Sequence, residues 1–453
     1  KLFQKLLLAP AAIGVLTPIA ANATEANLND VTSYSQSDIE ITQDTFKPLT
    51  TKNPLLAGGE GLNQNSNSNF ETDSFSSTTT LDGKAVFVFG AVDGINELGG
   101  TTTGETTVTV SEAGNPLNGK KVVVKDSAKA KYSEALGAAY VYQMNLNTSF
   151  TGDDNLYVRL KAGNGWTSFG EKPGTYLNET KGTGNALNVD KIWYTLPLGD
   201  RVEATFGPLI ENYYMLAASP SVYKPKILKA FRFGGHGVAF GASTSTGLGL
   251  KYTADNGFAS SITINSKGAD DKSGFLTEQD VNKLNVMAAY TKDNYHLSAT
   301  YTTQHGKFNA FNYFSTAAIK DSVDKTGYAL RAWWRPDETG TAVPSISVGL
   351  DTVDFNDKIG GYEKGNGYSI AFNWQDIVQA DDVIGVAFGQ PIKGTDNTTA
   401  GKNDVDPFLW EAYYSFRPND SIEVTPGIFG GTDIKSDNKD DVFGAVLQTT
   451  FKF

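Results

Sequence analysis

From Leu81 to Phe453 the chain repeats one pattern: a segment of about ten residues alternates apolar with polar or small side chains, then stops at a turn signal. Tyr295, Leu297, Ala299 and Tyr301 share one face, and His296, Ser298, Thr300 and Thr302 share the other. Tyr328, Leu330, Ala332 and Trp334 likewise oppose Ala329, Arg331, Trp333 and Arg335. Period two is the signature of a strand with unlike faces. Sixteen such segments are read, near 81–91, 132–150, 154–163, 189–197, 200–208, 237–254, 257–266, 283–291, 294–303, 325–335, 343–354, 366–374, 382–390, 408–417, 420–430 and 440–453.

The connections between them are unequal. Tight turns such as Leu198-Gly199-Asp200 and Lys292-Asp293-Asn294 alternate with long polar stretches at about 92–131, 164–188, 209–236, 267–282, 304–324, 355–365, 391–407 and 431–439. An even strand number with short turns at one end and long loops at the other predicts an all-β fold, a transmembrane antiparallel β-barrel. A soluble sandwich or propeller requires no such alternation, and about sixteen strands enclose more space than side chains fill. Fourteen or eighteen strands remain open if 237–254 splits or a loop hairpin joins the wall.

Composition narrows function. The 453 residues contain no Cys and three His, which removes thiol chemistry and leaves little for a histidine-built metal centre. The net charge of -12 speaks against nucleic acid as a partner. Lys1 and Lys5 flank the start of an apolar run, Leu6–Ala21, that ends in Ala21-Asn22-Ala23, so 1–23 reads as a secretory signal peptide. The alternative, a short membrane anchor, is opposed by Pro10 and Pro18. Residues 24–75 form a polar lead segment rich in Asn, Ser and Thr, and 76–453 the barrel domain. No other stretch approaches the roughly 20 apolar residues of a spanning helix.

No constellation for catalysis emerges. Gly114–Lys121 nearly matches a phosphate-binding loop, but Lys121 stands where Ser or Thr should bind the metal, and the stretch reads better as a hairpin tip. His236, His296 and His305 lack metal spacing, and the pairs Asp270-Asp271 and Asp440-Asp441 read as solvated loop charge. The expectation is no enzyme, no cofactor and no metal.

The third long stretch, 209–236, is apolar and aromatic for a surface loop. Its charges are Glu211 against Lys224, Lys226, Lys229 and Arg232, a local net of 4 − 1 = +3. With Tyr213 and Tyr214 these residues are expected to build a pore constriction, as the inward-folded third loop of general porins does. A subunit interface or a cover over the barrel mouth are the alternatives. Arg159, Lys161, Arg201, Lys251, Arg331 and Arg335 fall on polar faces, with Glu203, Asp351, Glu411 and Glu423 as counter-charges. On a lipid face each Arg or Lys costs about 2–4 kcal/mol at mid-membrane, so these six are expected on the pore wall. A basic loop and wall predict a preference for anions. At the C-terminus Phe443, Ala445, Leu447, Thr449, Phe451 and Phe453 alternate to the last residue. Phe451 and Phe453 are expected to form the signal read by the barrel assembly machinery.

Several longer runs carry a resemblance: Gly207-Pro208-Leu209-Ile210-Glu211-Asn212-Tyr213-Tyr214-Met215-Leu216-Ala217, Gly234-Gly235-His236-Gly237, Trp333-Trp334-Arg335-Pro336, Phe408–Pro418 and Thr449-Thr450-Phe451-Lys452-Phe453. Over about 75–453 the chain resembles the cyanobacterial major outer-membrane porins of the carbohydrate-selective porin family. The resemblance implies a barrel in outer-membrane lipid, a homotrimer, and passive diffusion of inorganic ions and small hydrophilic solutes. Longer relatives carry an S-layer-homology domain before the barrel, for which 24–75 is too short. The competing reading is a structural or adhesive barrel, or a receptor, with an occluded lumen.

Overall fold

The computed structural model describes residues 78–93, 105–109, 121–125, 136–165, 176–235, 237, 239–241, 244–306, 308, 324–359, 362–395, 406–433 and 441–453. The expected signal peptide and lead segment, His236 and the hairpin tip at 114–120 lie outside these residues. The strands are β1 (Thr79–Asp93), β2 (Glu105–Thr109), β3 (Lys121–Lys125), β4 (Gly137–Thr148), β5 (Asn155–Gly163), β6 (Asn188–Pro197), β7 (Val202–Ile210), β8 (Ser245–Thr253) and β9 (Phe258–Ser266). They continue as β10 (Asn282–Thr291), β11 (Tyr295–Gln304), β12 (Lys325–Trp334), β13 (Ser345–Ile359), β14 (Tyr362–Gln375), β15 (Val383–Thr395), β16 (Phe408–Asn419), β17 (Ile422–Thr432) and β18 (Val442–Lys452). Strands β2 and β3 pair with each other inside the first long connection. The other sixteen form a closed barrel in chain order, each antiparallel to its neighbours.

Burial is inverted relative to a soluble protein, as a barrel in lipid requires. Leu297 is 59% exposed and Leu330 54%, whereas Thr302 on the opposite face is fully buried. The outward rows of β10 to β13 are Val286, Tyr290, Leu297, Tyr301, Tyr328, Leu330 and Leu350, all exposed. The inward rows carry Asn285, Ser298, Thr300, Arg331 and Ser347, all buried.

Closure depends on the first and last strands. Strand β1 pairs with β4 on one side and β18 on the other, with Ala85 opposite Phe451 and Val88 opposite Gln448. The seam ends in a reciprocal pair: Gly83 N–H donates to Phe453 O at 2.8 Å and Phe453 N–H to Gly83 O at 3.1 Å. The Phe453 ring stacks on Tyr142 with centroids 5.9 Å apart, and Phe451 meets Phe87 at 5.3 Å. Glycine is needed at 83 because a Cβ there would lie 2.6 Å from the Phe453 ring.

Two short turns use the same device. Asp154, just before β5, accepts hydrogen bonds from the Phe150 and Thr151 amides at 2.9 and 2.7 Å and from the Tyr194 hydroxyl of β6 at 2.6 Å. Asp382, just before β15, accepts from the Ile377, Val378 and Gln379 amides at 2.9, 3.0 and 2.9 Å and from the Tyr414 hydroxyl of β16 at 3.0 Å. A carboxylate with several acceptor sites satisfies the amides that a tight turn leaves without strand partners.

Two expected boundaries differ. The strand read at 237–254 begins at Ser245. Residues 237 and 239–241 instead turn inside the barrel, where Phe240 is fully buried and Gly237 sits against the Asp351 carboxylate. The expected long loop at 355–365 is an extended hairpin, since β13 runs to Ile359 and β14 starts at Tyr362.

Gly83→Val should weaken seam closure, read as loss of the compact, heat-modifiable band on semi-native gels, while Asp153→Ala, exposed in the 151–154 turn, keeps it. Burial raises the Asp154 pKa, but the bonds from Tyr194, Thr151 and Ser149 outweigh it and hold the carboxyl below its usual range. Its stabilisation is therefore complete above the unfolded pKa and is lost as pH falls through the folded one. Asp154→Asn should cost about 1–3 kcal/mol at pH 7, and the gap to wild type in urea unfolding should shrink in acid. A gap independent of pH would remove the carboxylate's role.

Candidate constriction and pore wall

The connection between β7 and β8 runs inside the barrel and crosses much of its inner wall. It leaves β7 through a 3-10 turn, Asn212–Met215, and returns through a second, Lys229–Gly234. On the outward path Met215 packs against Gly249 of β8, and the Ala217 amide donates to Ser261 Oγ of β9 at 3.1 Å. Trp333 Nε1 of β12 donates to Ser219 O at 3.1 Å, and the Val222 and Tyr223 amides each donate to Ser347 Oγ of β13 at 3.2 Å.

The far tip docks on β16 and β17. Glu411 is fully buried and accepts from the Tyr223 hydroxyl and the Leu228 amide, each at 2.5 Å. Tyr413 donates its hydroxyl to Lys224 O at 2.8 Å, and Lys226 Nζ pairs with Glu423 at 2.7 Å. Ile227 lies against Gly427, where any Cβ would approach within 2.5 Å. Ile227, Leu228 and Phe231 join Val86, Val141, Phe429 and Val446 in one buried apolar cluster. The interior therefore holds a dry core formed between loop and wall.

The return path is held by Arg331 of β12. Its side chain is buried, bonds the Asp351 carboxylate at 2.8 Å, and donates to Phe233 O at 2.7 Å and Gly235 O at 2.9 Å. Its guanidinium also lies 4.8 Å from the Phe240 ring centroid. Charge-assisted bonds to backbone carbonyls fix a chain direction as well as a position. Arg331 thus stands on the inner wall and anchors the loop from there.

A second loop completes the inner structure. Residues 176–183, between β5 and β6, form a bridge from Leu177 to Leu228, with the Asn178 amide donating to Ile227 O at 2.7 Å and the Lys229 amide to Tyr176 O at 3.1 Å. Arg232 donates to Asn178, Lys229 lies 5.1 Å from the Tyr176 ring centroid, and Glu179 pairs with Lys84 of β1 at 3.2 Å. The stretch 164–188 lacks any repeat, so no periodicity marks this contact.

The wall on the β4 to β6 side is polar and aromatic. Arg159 of β5 donates to Tyr157 Oη at 2.7 Å and to Tyr214 Oη at 3.0 Å, and Lys161 follows on the same face. Tyr157 stacks on Trp193 at 4.2 Å, and Trp193 meets Tyr214 at 4.8 Å. Tyr213 bridges Tyr214 and Phe233 at 4.7 and 4.9 Å. Glu211 accepts from the Tyr213 hydroxyl and lies 3.5 Å from Lys191 of β6, which also lies 3.4 Å from Asp190. Lys191, Asp190, Lys84 and Glu179 were not among the expected site residues, although Lys191 and Trp193 obey the strand alternation.

Two other expected wall residues stand elsewhere. Arg201 lies exposed in the turn before β7 and pairs with Asp255. Arg335 lies in the turn after β12, donating to Asp293 O at 2.6 Å. Each lies one step beyond its strand, and Arg335 keeps to the inward side, its guanidinium 5.8 Å from the Trp333 ring centroid. Lys251 of β8 pairs with Glu203 of β7 at 2.6 Å, on the face opposite exposed Leu248 and Leu250.

A family model described as carbohydrate-selective porin, OprB family, matches residues 55–453. Uncharacterized protein alr4550 of Nostoc sp. is 24% identical over 485 aligned positions, covering 95% of this chain and 76% of that one. The high-pH structure of Pseudomonas putida OprB superposes with a TM-score of 0.52 at 12% identity, covering 83% of this chain and 94% of that one, a likeness of fold. The chain belongs to the OprB family of carbohydrate-selective porins and is an outer-membrane β-barrel porin for small solutes.

Proposed function

We propose that solutes pass between the two inward loops and the polar wall formed by β5, β6 and the Asp82–Lys84 end of β1, and that anions pass preferentially. Among the residues placed along this route, Lys84, Arg159, Lys161, Lys181, Lys191, Lys229 and Arg232 stand against Asp82, Glu179, Asp190 and Glu211, a balance of 7 − 4 = +3. That excess is the observation that carries the reading. Charges in a narrow, low-dielectric passage are screened less than surface charges, so a small excess there outweighs the chain's net of -12 on distant loops. The apolar cluster, which packs the loop on β13 to β18 and on Val86 and Val141 of β1 and β4, offers ions no solvation.

The family and the fold point to a channel rather than an enzyme. Our reading assigns no catalytic residue, cofactor or metal, and transport is passive. The resemblance further supports a homotrimer, with Phe451 and Phe453 serving the assembly machinery during insertion and 1–23 directing export.

In planar bilayers under a salt gradient the wild-type reversal potential should take the sign for anions. Lys161→Gln combined with Arg232→Gln should move it toward cations; a cation-selective wild type would reject the charge reading, and absence of conductance would favour the occluded barrel. Glu411→Ala, which removes the acceptor for both Tyr223 and Leu228, should raise open-channel current noise several-fold with the gel-shifted fold retained. Unchanged noise would mean that the tip is held without this carboxylate.

A further inference from the structure

The inner wall formed by β5 and β6 leaves two cations without a carboxylate. Arg159 and Lys161 share the inward face of β5, opposite the face of Val158 and Leu160. Strand β6 carries one extra residue at this level. Arg159 pairs with Lys191 and Leu160 with Val189, so Asp190 between them forms a bulge. A bulge sets two residues of one strand against one of its neighbour and re-aims a side chain. Asp190 and Lys191 both lie buried at the inner wall, with side chains 7% and 4% exposed.

The carboxylates around this wall are engaged. Asp190 pairs with Lys181 at 2.5 Å and with Lys191 at 3.4 Å, Glu211 lies 3.5 Å from Lys191, and Glu179 pairs with Lys84 at 3.2 Å. Asp82 accepts from Asn145 and Asn147 at 2.6 and 3.3 Å. Arg159 directs Nε to Asn145 and Tyr157 and Nη1 to Tyr214, and its Nη2 meets no acceptor among the described residues. Lys161 is half-buried, and its ammonium makes no hydrogen bond or ion pair among them. Neither Nη2 nor the Lys161 Nζ is sealed off, so both remain reachable from the lumen. Arg159 as a whole is only 8% exposed, and a nearly buried charge without a counter-charge is costly. A strand rise of about 3.3 Å per residue sets side chains two positions apart by about 7 Å, a gap that an anion with several oxygens bridges through one charge-assisted bond to each cation.

We propose that Arg159 and Lys161 form a subsite for a doubly charged tetrahedral oxyanion, sulfate or hydrogen phosphate, which takes one bond from Arg159 Nη2 and another from Lys161 Nζ. Tyr157 and Tyr214 hold the guanidinium in place before the anion arrives, so little ordering is left for binding to do. Chloride brings one charge and cannot span both donors, and a neutral sugar leaves both cations uncompensated. The subsite deepens the anion-passage reading and rests on it for the route by which the anion arrives; binding itself is measured without conduction.

Calorimetric titration of the detergent-solubilised barrel at constant ionic strength should show saturable binding of sulfate, with chloride and glucose giving no saturable heat at equal concentration. Lys161→Met should weaken sulfate about tenfold or more with the gel-shifted fold retained, the loss expected for a hydrogen bond to a charged group. Lys161→Arg, which keeps charge and donors, should restore most of the affinity. Arg201→Gln, which removes one charge at the rim, should leave it unchanged. Failure of sulfate to bind wild type, binding of chloride or glucose as tight as sulfate, unchanged affinity in Lys161→Met, or an equal loss in Arg201→Gln would each overturn the assignment. Reversal potentials recorded on the same samples keep the two readings separate: an anion-selective channel that binds no sulfate rejects the subsite alone, and a cation-selective barrel that binds sulfate rejects the anion-passage reading alone.

Discussion

Everything in this molecule follows from the requirement that no backbone donor or acceptor be left open to hydrocarbon. A sheet in lipid meets that requirement only by closing on itself, because each free edge would expose a row of unpaired groups. The closure rests on β1, which bonds β4 and β18 at once, and on the Gly83–Phe453 pair at its end. Once the ring is closed its strand number sets the size of the interior. Sixteen strands leave a space too wide for wall side chains to span, and that space is either water or loop.

The chain fills part of it with loop, and does so by building a second, smaller core inside the first. Ile227, Leu228 and Phe231 have no lipid to face and bury themselves on Val86, Val141, Phe429 and Val446, inner-wall positions that are apolar where a plain water-filled wall would be polar. A loop inside a barrel brings backbone groups away from water, and these need partners. Glu411, Ser347, Asn265 and Arg331 supply them, Asn265 donating to Ile210 O at 3.2 Å. These wall residues are polar because a backbone lies against them, which is a different reason from facing a channel.

That distinction explains what could be read from the residues and what could not. The barrel was legible because period-two alternation and unequal connections are local, repeated sixteen times, and mutually consistent. The loop at 209–236 stood out because Tyr213, Ile227 and Phe231 make no sense in a polar surface loop. Alternation tells inside from outside, but an inward Arg331 reads the same whether it meets water or Phe233 O. Arg201 and Arg335 lie just beyond the strand ends, in turns at the rim of the barrel. The Leu177–Leu228 bridge joins residues 51 positions apart through backbone bonds, and backbone bonds leave no mark on side-chain type.

The same distinction bears on charge. Counting the basic residues of a loop overstates its effect on a passing ion when each has a partner in the wall. Lys226 is held by Glu423, which largely neutralises it, and Arg232 donates to Asn178. A cation held by a neutral amide or over a ring retains its field. A cation on a carboxylate loses most of it beyond a few ångströms. Arg159, wedged between Tyr157 and Tyr214, is held in the first way, through neutral groups.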